Sequence, residues 1–201
     1  LVRFAAVQEH SRLSLAPFVG RHHLELLASG RTDATVDGTL VFADVAGFTA
    51  LNERLAARGR EGAELMVGLL DAAFGRALEC AADFGGDLLK FGGDALLLLF
   101  DGHDHTRRAR AAAEAMQRSM AIRTDAHRAI GRVRLSMSIG LESGPVDLLV
   151  CGVNTPELVV VGDTLERTLR CEADAVGGQV LVGPRAAALM EEAPSAEPVI
   201  D

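Results

Sequence analysis

The sequence is poor in basic charge: 20 lysines and arginines stand against 28 aspartates and glutamates, for a net charge of −8. A nucleic-acid binder presents a basic face to phosphate, so that class is disfavoured. Cysteine is scarce too. Cys80, Cys151 and Cys171 are odd in number, far apart and without a C-x-x-C pair. That pattern encodes neither a disulfide scaffold nor a cysteine metal knuckle, and free thiols in a reducing compartment are expected. No apolar run is long enough to cross a bilayer; the longest, Ala95 to Phe100, has the length of a strand. Neither G-x-x-x-x-G-K-[ST] nor G-x-S-x-G occurs, which removes the P-loop and the hydrolase nucleophile elbow. A cytoplasmic protein without membrane contact is expected; no signal peptide is visible, but in an excised domain that absence proves little. The start at Leu1 in place of methionine reads as a domain cut from a longer chain.

What is present suits one folded domain: 201 residues, 49% hydrophobic and 24% charged, are enough for a full core. Leu13, Leu15, Phe18, Leu24, Leu26 and Leu27 predict a short amphipathic helix, broken near Pro17 and Gly20. Ser29 to Gly38 is polar and turn-forming. These features set a helical extension over 1–36, a main domain over 37–191 and a loose Pro- and Glu-rich tail over 192–201.

Within the main domain, Thr39 to Ala43 reads as a buried strand ending at Asp44, and Gly47 turns the chain into a helix reaching about Arg58. Arg60 to Asp83 is a long helix with apolar residues at Leu65, Leu69, Leu70, Ala73, Phe74 and Leu78. Asp87 to Phe91 and Ala95 to Phe100 form a hairpin around Gly92-Gly93. Asp104 caps a helix running to about Ala129. Val133 to Leu141 and Val146 to Val150 form a second hairpin about Gly144-Pro145. Leu158 to Val161 is a strand, Asp163 to Asp174 a helix, and Gln179 to Val182 the last strand. The fold class is α+β, with helices packed on a mostly antiparallel sheet.

Two segments carry chemistry. In Phe42-Ala43-Asp44-Val45-Ala46-Gly47-Phe48-Thr49, an aspartate closes a buried strand, which is costly unless something compensates. The next residues open a helix whose free backbone N–H groups can hold a phosphate. A carboxylate beside an anion site makes sense with a cation between them; helix capping is the plainer alternative. In Lys90-Phe91-Gly92-Gly93-Asp94-Ala95-Leu96, glycines permit a tight turn and let a ligand approach the backbone. Alone, Asp94 reads as an ordinary turn aspartate. If the two strands are neighbours, the carboxylates converge into a two-cation site.

F-x-D-V-x-G-F-T, followed about fifty residues later by L-K-F-G-G-D-A, resembles the class III adenylyl/guanylyl cyclases. The likeness runs on through Ser138-Ile139-Gly140-Leu141, Ser143-Gly144-Pro145, Val160-Val161-Gly162-Asp163-Thr164 and Val180-Leu181-Val182. G-G-D-L-L-K-F-G-G-D-A-L-L-L-L-F is most similar to the first cyclase domain of bicarbonate-sensitive soluble adenylyl cyclases and of large actinobacterial multidomain proteins. The resemblance implies a ferredoxin-like sheet and a site shared by two domains paired head to tail. It also implies attack of the ATP 3′-hydroxyl on the α-phosphate, giving cyclic AMP and pyrophosphate. By the same resemblance, Asp44 and Asp94, with the backbone of Val45, hold two divalent cations, Mg or Mn, and Val45, Ala46, Gly47, Phe48 and Thr49 bind phosphate. Lys90 stands at a base-reading position and Arg170 at a position that stabilises the transition state.

The remaining positions depart from the family. Glu166 stands where an asparagine is expected and Val159 where a second base reader is expected. A glutamate adds repulsion near a triphosphate, and valine cannot accept a hydrogen bond from adenine. A homodimer is therefore expected to be weak or inactive, with a second cyclase domain, from the same gene, completing the site. A regulatory pseudocyclase that binds a partner or nucleotide without chemistry is the alternative. A diguanylate-type cyclase is set aside because no GGDEF follows Gly93-Asp94. In bicarbonate-sensing relatives a lysine and an arginine hold the anion; Lys90 matches the first, and Arg170 lies at or beside the second. His103 and His105 lack a fourth ligand and read as loop residues. Arg107, Arg108 and Arg110 read as a solvated helix face, and Asp87 as a partner for Lys90.

Overall fold

Strand β1, Asp33–Ala46, is the spine of the sheet. A computed structural model of the chain describes residues 19–120 and 135–192. In it, β1 lies between β3 (Ala95–Asp101) and β4 (Ser136–Cys151), antiparallel to both. Hairpin partner β2 (Asp87–Phe91) and strand β5 (Glu157–Val161) form the two edges, in the order β2-β3-β1-β4-β5. The short β6 (Val180–Val182) adds to β4 in parallel.

Facing residues of paired strands share a side of the sheet, and the alternation along β1 sorts the core in two. Val41, Ala43 and Val45 face α2 (Phe48–Ala56), α3 (Gly59–Asp83) and α4 (His105–Met120), together with Leu96, Leu98, Phe100, Met137, Ile139 and Leu141. In α3 the buried Met66, Leu69, Ala73, Ala77 and Ala81 recur at helical spacing. The opposite, concave side holds Leu40, Leu97, Leu99, Val146 and Leu148, joined by Leu26 from α1 (Arg21–Ser29) and Leu158 from β5. Helix α5 (Asp163–Asp174) also lies on this side. A Cβ on Gly140 would overlap the α5 backbone between Thr168 and Glu172, so glycine is what lets the helix seat there.

The α+β class and nearly every element match expectation; four details differ. Residues 136–151 form one continuous strand, with no turn at Gly144-Pro145. Gly144 and Pro145 simply face Gly38 and Asp37 of β1 there, so a Gly-Pro pair is read through in an extended ladder. Strand β1 starts inside the polar stretch that reads as turn-forming, because exposed and half-buried residues alternate from Asp33 to Asp37. Asp104 precedes α4 in a left-handed conformation, φ 55°, with its carboxylate toward Arg107. Helix α6 (Pro184–Glu192) was not expected; its first turn is capped from afar by the fully buried Glu142, which accepts from Ala186 N–H at 2.8 Å. The expected apolar residues Leu13, Leu15 and Phe18, the end of the α4 reading at Ala129 and the tail from 193 lie outside the described residues. No described helix is long and apolar enough to cross a membrane.

Candidate cyclase site

Asp44 faces Ala95 on one side and Ser138 on the other, near the end of β1, and points to the concave side. Asp94 lies one residue before β3. The turn that carries it is two residues wide: Gly92 and Ala95 exchange backbone hydrogen bonds of 2.8 and 3.3 Å, and Gly93 takes φ 73°, which favours glycine. The Val45 N–H donates to the Asp94 carbonyl at 3.2 Å. Neighbouring strands thus bring together two aspartates that are distant in sequence.

Their electrostatics follow from this geometry. Burial raises the Asp44 carboxyl above its ordinary value, and the charges of Asp94 and then Glu172 raise it further; the Val45 N–H pulls the other way. Glu172 comes from α5 and accepts a hydrogen bond from Ser138 Oγ at 2.9 Å. Sequence reasoning singled out Ser138 only as part of a motif and did not find Glu172; the signal is the cross-strand pairing of Ser138 with Asp44, invisible before register is known. Among the described residues no group of three or more His, Cys, Asp and Glu is placed to hold a metal ion by side chains alone. Carboxylates are hard oxygen ligands of the kind magnesium and manganese take.

Gly47 precedes α2 at φ 84°, and no side chain caps the helix. Helix α2 begins at Phe48 directly after this turn, and the first N–H groups of a helix have no intrahelical partner.

The other sequence-predicted residues sit apart from this pair. Lys90 is on β2 and Val159 on β5, opposite edges of a sheet curled so far that Lys90 Nζ lies 3.9 Å from Glu157 Oε2. A groove of about 280 Å³ opens beside that ion pair, over Leu88 to Phe91 and Pro156 to Leu158. Arg170 is held by Glu166 one helical turn earlier, both exposed. Asp87 does not pair with Lys90 as expected. It is buried and accepts from His22, because α1 docks on the start of β2. His105 is no ligand either: it joins Thr39, Thr106 and Ser143 in a buried hydroxyl cluster, and burial lowers its pKa.

Residues 32–197 match the family model described as the adenylate and guanylate cyclase catalytic domain. The chain belongs to this family. The cyclase domain is 31% identical over 153 residues to adenylate cyclase type 10 of Mus musculus, covering 74% of this chain and 9% of that protein. The Homo sapiens protein of the same name is 44% identical over 66 residues. The domain thus spans about a tenth of the length of the mouse relative (9%). Among solved structures, the adenylyl cyclase CyaB from P. aeruginosa superposes with a TM-score of 0.68 at 22% identity, covering 79% of this chain and 82% of that one. The guanylyl cyclase Cya2 gives 0.66 at 26%, covering 78% and 79%. Family and α+β cyclase fold are both as the motifs imply.

Proposed function

We propose that this cyclase domain supplies the cation- and triphosphate-holding half of an adenylyl cyclase site, and that a complementary cyclase domain completes it. The observation that carries the reading is the pair Asp44 and Asp94, set on adjacent strand ends, with Asp44 raised by burial and then by its neighbour's charge. Such a pair calls for a cation.

Asp44, Asp94 and the Val45 carbonyl are the groups to hold two divalent ions, and the residues from Ala46 to Thr49 present backbone N–H to the phosphates, the Val45 N–H being held by the Asp94 carbonyl. Divalent ions in such a site lower the barrier by activating the attacking hydroxyl and stabilising the leaving phosphates. The domain's own part is to orient ATP so that its 3′-oxygen lines up with the α-phosphorus. The new P–O bond closes the ring, the bond to the β-phosphate oxygen breaks, and the hydroxyl proton is lost to solvent or a base. Lys90 and Arg170 would serve the pseudo-symmetric site. Their pairing with Glu157 and Glu166 supports a low activity for the domain alone, and a regulatory anion such as bicarbonate is a candidate for that second site.

The choice of adenine over guanine rests on identity to adenylate cyclase type 10; the structural relatives include both kinds. Mixing the domain with a cyclase domain that carries the N-x-x-x-R set, with Mn and either ATP or GTP, tests the proposal. Cyclic AMP is expected from the mixture and little from either half. No cyclic nucleotide under any pairing defeats it, and cyclic GMP alone reverses the base assignment.

A further inference from the structure

Helix α5 brings a third carboxylate towards Asp44. Two close approaches hold the helix in place. At Gly140 of β4 a Cβ would run into the α5 backbone at Thr168 and Glu172. Beyond the helix, a Cβ on Gly177 would come within 2.7 Å of Ala46 Cβ and 2.8 Å of Ser136 Oγ, so the chain after α5 is pressed on the end of β1. Between these contacts lies Glu172, half-buried, in the last turn of α5.

That placement is unfavourable by itself. The C-terminal end of a helix carries partial negative charge and favours basic side chains. The last turn of α5 has none and holds Glu172 and Asp174 instead. Glu172 Oε1 accepts from Ser138 Oγ at 2.9 Å. Ser138 faces Asp44 across the β1–β4 ladder, so both lie on the concave side. A serine hydroxyl has one proton; given to Glu172, it is not available to Asp44. The contact therefore anchors Glu172 near Asp44 and neutralises neither, and the charge of Glu172 is felt at Asp44 together with that of Asp94. Among the described residues no three such side chains are placed to grip one ion. Glu172 thus stands behind the aspartate pair and is not a third ligand.

We propose that Glu172, anchored through Ser138, is an outer carboxylate of the cation site, whose charge draws divalent ions to Asp44 and Asp94 without coordinating them. The proposal rests on the functional reading above and adds to it a positioning residue from α5. Attraction between a dication and a charge outside its ligand set is Coulombic, and salt screens it. The screening length falls from about 30 Å at 0.01 M to about 3 Å at 1 M. A contact that only shapes the fold has no such salt dependence.

Glu172→Gln tests this on the whole chain, because glutamine keeps an acceptor for Ser138 and removes only the charge. Mn binding is measured by calorimetric titration at low and at high salt. At low salt the variant is expected to bind Mn roughly threefold to tenfold more weakly than the parent, and at high salt the gap should narrow to about twofold or less. If Glu172→Gln does not fold, Glu172→Ala, which suits a helix, takes its place with the same titrations. Parental affinity in the variant at low salt overturns the proposal and leaves Asp44 and Asp94 as ligands. A loss of equal size at both salts overturns it too, since that marks a structural contact. A parent that binds no Mn defeats the functional reading itself, and the role of Glu172 falls with it.

Discussion

The two sides of the sheet are built from the same strands to opposite ends. The helix-covered side is mainly apolar, from Val41 and Ala43 to Leu98, Phe100, Met116 and Ile139, and its polar Thr39, His105, Thr106 and Ser143 satisfy one another. The concave side begins as a core around Leu40, Leu99 and Leu148, and then admits Asp44, Lys90 and Glu172. One side stabilises the fold by burying area. The other gives up burial to bring charged groups together, and the raised carboxyl of Asp44 is a measure of that cost. Substitutions on one side should therefore move stability and on the other chemistry.

The sharpest break in that contrast comes from Phe100→Ala, a fully buried ring on the helix-covered side. It should cost about 3–5 kcal/mol in denaturant unfolding, with Mn affinity of the remaining folded protein unchanged. Asp44→Ala or Asp94→Ala should do the reverse. Cyclic AMP formation with the complementary domain should fall by roughly a hundredfold or more, while the melting temperature holds. Unchanged turnover would refute the site.

Acidity separates the sides further. Burial alone would raise the Asp87 carboxyl, but the hydrogen bonds from the His22 ring and from the His22 and Arg21 N–H groups outweigh it and hold it below its ordinary value. Such a group stabilises the native state above its unfolded value of about 3.9, and that contribution is lost as pH falls through the lower folded value. Asp87→Asn should cost about 1–3 kcal/mol at neutral pH and little at the acid end of a stability profile. Asp44 has the opposite sign. Its folded value is raised, so the native state is penalised while the group is ionised and relieved as pH falls. Asp44→Asn should slightly raise the melting temperature of the metal-free protein at neutral pH. The gain should vanish in acid, and with Mn present the parent should overtake the variant. The smallest effect is reserved for the exposed Arg170–Glu166 pair: Glu166→Ala should change unfolding free energy by less than about 0.5 kcal/mol.

Much of this was legible in the chain itself. Periodicity located α3, the first hairpin and α5, since apolar spacing there is regular and glycines punctuate it. The same rule failed at Gly144-Pro145, where two turn-forming residues lie within an uninterrupted strand. It also missed α6, whose N-terminus depends on Glu142, more than forty positions earlier. Asp87 was assigned to the wrong partner because sequence proximity favoured Lys90, whereas docking of α1 delivered His22.

The sequence alone determined the family, through the residues around Asp44 and Asp94, and the order of helices and strands, because local spacing and glycine turns are properties of neighbours along the chain. Tertiary structure alone decided that Asp44 faces Ser138, that Glu172 reaches it from α5, that the sheet curls until Lys90 meets Glu157, and that a bulge turns Lys90 inward. These are outcomes of strand register and sheet curvature. Both depend on how distant segments pack, and one residue of slip reverses which side a side chain takes.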